Sequence, residues 1–155
     1  MKNDEDFMRR CLEIGRTALK RGEAPVGSLI VIGGKIIAEG RESVKTKTDP
    51  TAHAEIEAVR GACEKMGALN LREAALYTNV EPCVMCAFAI RQTGIRRVIF
   101  GLSNNMVGGA TSKFPVLTHS DFPMKYDPPE IGAGILLGEC ESLQREFREL
   151  QKVKK

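Results

Sequence analysis

Hydrophobic residues in this chain change their period several times, and each change marks an element. From Glu5 to Arg21, Phe7, Met8, Cys11, Leu12, Ile14, Ala18 and Leu19 recur at helical spacing, with Gly22 as a stop. Val26 to Ile32 and Lys35 to Gly40 are β-branched runs joined by Gly33-Gly34, a pair suited to the positive φ angles of a two-residue hairpin. Polar residues from Arg41 to Thr48 lead to Asp49-Pro50-Thr51, where Asp49 or Thr51 can cap a helix. That helix carries Ile56, Val59, Ala62, Cys63 and Met66 and ends at Gly67. Ala74 to Asn79 predicts a strand, Cys83 to Thr93 a helix closed by Gly94, and Arg97 to Phe100 a second strand. Strand, helix and strand in so few residues predict a βαβ unit with parallel strands and a right-handed crossover.

Beyond Gly101 the pattern is broken by Asn104-Asn105, Gly108-Gly109, Pro115, Pro123 and Pro128-Pro129, predicting a long loop of the kind that serves as a lid or binding segment. Ile131 to Leu137 predicts a last strand, and Cys140, Leu143, Phe147 and Leu150 stripe a terminal helix. Cys11, Cys63 and Cys140 lie on apolar stripes and are expected in the core.

Composition narrows the class. At 155 residues, 43% apolar and 28% charged, residues 1–155 are expected to form one globular domain. The apolar runs fall far short of the ~20 residues that span a bilayer, and the acidic start Met1 to Asp6 is no secretory signal. The expectation is a soluble, cytoplasmic protein. In that reducing setting five cysteines, an odd number, point to metal or catalytic use before a disulfide framework. A net charge of +3 does not announce nucleic acid, and the basic tail Gln151 to Lys155 reads as a solvated helix end.

The chemistry sits between Thr51 and Cys86, which holds His53-Ala54-Glu55 and Pro82-Cys83-Val84-Met85-Cys86. One imidazole and two thiols bind zinc with a fourth position open, and a nearby carboxylate moves protons. Cys83 and Cys86, three apart at a helix start, face the same way, and the unpaired N–H groups there favour thiolate. A CxxC at a helix start also suits a thioredoxin-like redox pair, or half of a closed zinc site completed by His53 and one of Cys11, Cys63 or Cys140. Neither alternative uses Glu55 or the proline before Cys83.

HAE followed by PCVMC resembles the zinc-dependent cytidine and deoxycytidylate deaminase superfamily. Gly22 to Gly27 (GEAPVG), Thr48 to Ile56 (TDPTAHAEI), Leu76 to Ile90 and Gly108 to Ser112 (GGATS) are most similar to its bacterial tRNA adenosine, cytosine and guanine deaminase branch. The resemblance implies a three-layer α/β/α fold with a mixed five-stranded sheet, and a homodimer. It implies Zn²⁺ on His53, Cys83 and Cys86, with Glu55 carrying protons. It also implies a base pocket lined by Pro25 and Val26, contacted by the backbone N–H groups of Ala54 and Cys83 and the carbonyl of Glu81.

Two departures bear on substrate. Eleven residues before the zinc histidine the family usually has a base-binding asparagine, and this chain has Glu42, an acceptor that favours a base edge presenting N–H groups. In GLSNNMVGGATS (Gly101 to Ser112) the family's acidic residue near the ribose becomes Asn104, and the neighbouring basic residues become Ser103 and Met106. Phosphate contacts need Lys or Arg. These departures lead to the expectation of hydrolytic deamination of a free nucleobase, nucleoside or related amino-heterocycle, with a tRNA adenosine deaminase making inosine at the wobble position as the alternative.

Overall fold

The computed structural model describes residues 1–153, so Lys154 and Lys155 of the predicted tail lie outside the described residues. The elements follow in the order α1 (Asp4–Lys20), β1 (Gly27–Ile32), β2 (Lys35–Arg41), α2 (Val44–Lys47), α3 (Ala54–Met66), β3 (Ala75–Val80), α4 (Val84–Thr93), β4 (Arg97–Leu102), β5 (Glu130–Gly132) and α5 (Leu137–Val153). The sheet has five strands in the order β2-β1-β3-β4-β5. β1 runs antiparallel to both β2 and β3, whereas β3, β4 and β5 are parallel. This is the expected mixed sheet.

Strand alternation sorts the core into two layers. Leu29, Val31, Tyr77 and Ile99 face Phe7, Met8 and Cys11 of α1 and Cys140 of α5. Ile30, Leu76, Val98 and Phe100 face Ala58, Val59 and Ala62 of α3 and Ala87 and Ile90 of α4. The three predicted layers are therefore present. The hairpin turns on Gly33 and Gly34 at φ 57° and 77°, the two positive angles a two-residue turn with the sheet's own twist requires.

Three predicted details differ. Neither Asp49 nor Thr51 caps α3: Asp49 accepts from the Thr51 N–H and hydroxyl, and His53 stands at the N-cap. The buried face of α3 is Ala54, Glu55, Ala58, Val59 and Ala62, with Met66 48% exposed, because small residues bring the helix backbone onto β2. The Ile131 to Leu137 run divides: its first two residues belong to the three-residue β5, and Leu137 already begins α5.

The α3–β2 approach depends on Gly40, where a Cβ would stand 2.0 Å from the Ala54 carbonyl oxygen and 2.5 Å from the Ala58 nitrogen. Backbone cannot yield there as a flexible side chain would. Gly40→Ala will therefore cost about 3 kcal/mol or more, read as a lowered denaturation midpoint at unchanged m. Because the clash is with the helix that begins at His53, zinc retention will fall with it.

Candidate active site

Parallel β3 and β4 send their chain ends to the same side of the sheet, and α4 starts there directly after Glu81-Pro82. Cys83 is the N-cap of α4 and Cys86 lies in its first turn. His53, the N-cap of α3, arrives from the neighbouring helix. Its Nδ1 lies 3.6 Å from Cys83 Sγ and 3.5 Å from Cys86 Sγ. A zinc–sulfur bond of about 2.3 Å and a zinc–nitrogen bond of about 2.0–2.1 Å at tetrahedral angles put nitrogen and sulfur about 3.5–3.6 Å apart. The donor set therefore fits zinc in both chemistry and spacing, and the three ligand atoms all lie within 4.8 Å of one another. Cys11 and Cys140 are buried in the layer of α1 and α5 and Cys63 packs against the α3/α4 core, so the remaining cysteines have structural places.

Charge is unevenly held in this cluster. The Cys83 thiol is lowered to about 4, chiefly by its hydrogen bond with Cys86 and then by His53, and that bond pushes Cys86 well above the usual thiol range. His53 is raised to about 9 by its bond to Cys83. Glu55, in the first turn of α3 and 4% exposed, is pushed up to about 8 by burial, with the nearby charges of Glu42 and Cys83 adding to the shift.

The other predicted site residues fall into two groups. Glu42, half-buried after β2, accepts the Ala54 N–H at 2.9 Å on Oε1, so the N–H expected to meet the base already has a partner. Burial raises the Glu42 carboxyl. Val26 stands beside it, its carbonyl accepting the Glu42 N–H. Pro25 is buried, and its carbonyl accepts from Asn79 Nδ2. Glu81 and Asn104 are joined in the loop: Glu81, 2% exposed, accepts from the backbone of Asn104, Ala110 and Thr111. Asn104 Oδ1 accepts from Met106 and Val107, so its side chain shapes the turn.

Residues that sequence reasoning missed hold these loops in place. Glu23 is buried and accepts from the Lys45 and Thr46 backbone and the Thr46 hydroxyl, pinning the start of α2 and with it the segment after Glu42. Asn79 also accepts the Gly27 N–H, tying the GEAPVG turn to β3. Arg91, 2% exposed on α4, donates to the carbonyls of Val116, His119 and Tyr126, so the long loop hangs on the helix that carries both cysteines. Position inside the GEAPVG and TNVEPC stretches was the signal for Glu23 and Asn79; Arg91 gave none. Phe122 packs edge-on to Phe88 as an anchor, while Phe114 is 54% exposed and His119 lies at the surface. A groove of about 1020 Å³, lined in part by Arg72, Arg96 and Tyr126, flanks Gly94 and the start of β4 and contains none of these site residues. Among the described residues, no helix is long and apolar enough to cross a membrane.

With this geometry established, comparison with known proteins is specific. The family model described as the cytidine and deoxycytidylate deaminase zinc-binding region matches residues 1–102. A tRNA-specific adenosine deaminase of Bacillus subtilis is 34% identical over 156 residues, covering 100% of this chain and 95% of that protein. A structure from a study of A-to-I editing by tRNA:A34 deaminases superposes with a TM-score of 0.82 at 34% identity, covering 88% of this chain and 97% of the other. Guanine deaminase from Bacillus subtilis is 41% identical with a TM-score of 0.64 over 66% of each chain.

Proposed function

The chain belongs to the cytidine and deoxycytidylate deaminase family, whose zinc-dependent deaminase chemistry it shares, and from that premise we propose that it converts adenosine to inosine in a tRNA anticodon loop. The observation that carries this reading is the end-to-end match to a tRNA-specific adenosine deaminase at 34% identity. It favours the tRNA alternative over the free-base reading drawn from Glu42 and the weakly charged Gly101 to Ser112 loop.

In this reading His53, Cys83 and Cys86 hold the zinc, and Glu55 stands beside them as the proton carrier. Bound zinc supplies Lewis acidity that brings the pKa of water from 15.7 to roughly 7. Burial raises the Glu55 carboxyl, a shift that the charge of bound zinc would oppose, and leaves it the buried acid that would protonate a ring nitrogen and then the departing amine. Burial of that carboxyl keeps bulk water from competing for the proton. A copy of the chain as homodimer partner belongs to the same proposal.

A second reading, deamination of a small base such as guanine, is favoured by one observation: the carboxylate of Glu42 on the Ala54 N–H. Adenine offers ring acceptors there, whereas guanine brings ring N–H donors. The readings separate in a paired assay of an anticodon stem-loop RNA and free amino-heterocycles. The tRNA reading expects inosine in the RNA, with affinity falling steeply as salt rises. Ammonia release from a free base with no inosine in RNA would overturn it. Glu42→Gln restores an amide at that position, so the variant is expected to gain at least about five-fold in kcat/KM on adenosine substrates relative to guanine. An unchanged ratio would remove Glu42 from substrate choice.

A further inference from the structure

The Ser28 hydroxyl is sealed inside the protein, 0% exposed, and has no hydrogen-bond partner among the described residues. Buried polar groups are almost always paired, so an orphan asks for a partner. Strand alternation settles which way it faces. Leu29 and Val31 belong to the layer of α1 and α5, whereas Ile30, two residues on, belongs to that of α3 and α4, so Ser28 faces α3 and α4.

Register places it closely. Ser28 pairs with Gly40 on one side and Thr78 on the other. Gly40 lies directly beneath the first turn of α3, against the Ala54 carbonyl and the Ala58 nitrogen. Glu55 is in that turn, and it is buried. Thr78, five residues before Cys83 on β3, donates its hydroxyl to the Val80 carbonyl at 3.1 Å and makes no hydrogen bond with Ser28. Ser28 thus lies near the start of β1, under the first turn of α3 that carries Glu55 and beside the strand β3 whose chain leads on to Cys83.

We propose that the Ser28 hydroxyl donates to the Glu55 carboxyl through one trapped water molecule, and so acts as a positioning residue for proton transfer. Serine suits the place, since it rotates its hydrogen toward an acceptor above it and adds no bulk beneath the helix. The inference rests on Glu55 being the proton carrier, but not on which amino-heterocycle is the substrate.

The test has two arms. In the first, a high-resolution crystal structure of the zinc-loaded protein will show a water molecule bonded to both Ser28 Oγ and a Glu55 carboxyl oxygen. Oγ bonded only to backbone would overturn the proposal, whatever the substrate. In the second, variants are compared on whichever substrate the parent enzyme turns over. Ser28→Ala is expected to lower kcat about ten-fold while KM and zinc content stay at parental values. Ser28→Thr, which keeps a hydroxyl, will retain more kcat than Ser28→Val, which has the same shape without one. Parental kcat in Ser28→Ala, or Thr and Val variants that behave alike, would sink it. A parent inactive on every substrate tested counts against the functional proposal and leaves the crystallographic arm to decide this one.

Discussion

Glu55→Ala will keep its zinc and lose about 10²–10⁴-fold in kcat, the range that a positioned general acid and base contributes. The ligand atoms come from His53, Cys83 and Cys86, so shortening Glu55 removes none of them. What is lost is the group proposed to pass a proton between water, ring nitrogen and departing amine. Glu55→Gln is the sharper variant, since it keeps volume and hydrogen bonding in a buried place but carries no titratable proton. Both are checked by metal analysis beside ammonia release. A variant with full zinc content and parental turnover would remove Glu55 from the chemistry. Loss of zinc together with activity would instead make Glu55 a ligand, and the open coordination position would disappear with it.

His53→Ala and Cys86→Ala will each lose the metal itself, with turnover falling below detection. With the imidazole gone, two thiols remain three residues apart on one helix start, and no donor reaches them from α3. Neither His53 nor Cys86 belongs to the two apolar clusters either side of the sheet, although Cys86 is itself buried beside Ala87. Both variants should therefore fold, with parental secondary structure and a melting temperature that no longer responds to added zinc, whereas the parent's rises by linkage. Zinc at one equivalent per chain in Cys86→Ala would contradict the ligand assignment. Acidification should weaken zinc in the parent too, because a divalent ion must displace protons from His53, raised to about 9, and from the Cys86 thiol, which is raised higher still. The sign is that affinity grows with pH.

The sequence carried the metal chemistry because its parts are local. Cys83 and Cys86 face one way through a single helical turn, and Glu55 follows His53 by two residues, so motif spacing alone brought each cluster into view. The hairpin at Gly33-Gly34, the stop at Gly94 and the β3–α4–β4 unit were legible for the same reason, being set by backbone preferences of adjoining residues.

Partners distant in sequence were not legible. Nothing around Glu42 reveals that it takes the N–H of Ala54, twelve residues on, or that Arg91 holds carbonyls from Val116 to Tyr126. Helix α3 was misread at Met66 because period alone favours large apolar side chains, while packing against Gly40 favours the smallest. The chain's own pattern thus determined the candidate metal ligands His53, Cys83 and Cys86, the carboxylate Glu55 proposed to carry protons, and the elements that bear them. The folded arrangement alone decided that His53 comes within 3.6 Å of both sulfurs, which groups occupy the surrounding hydrogen-bond donors, and that Ser28 lies beneath Glu55's turn. Such contacts depend on how separate elements pack and on which polar atoms burial leaves to pair, and neither is encoded in any single stretch.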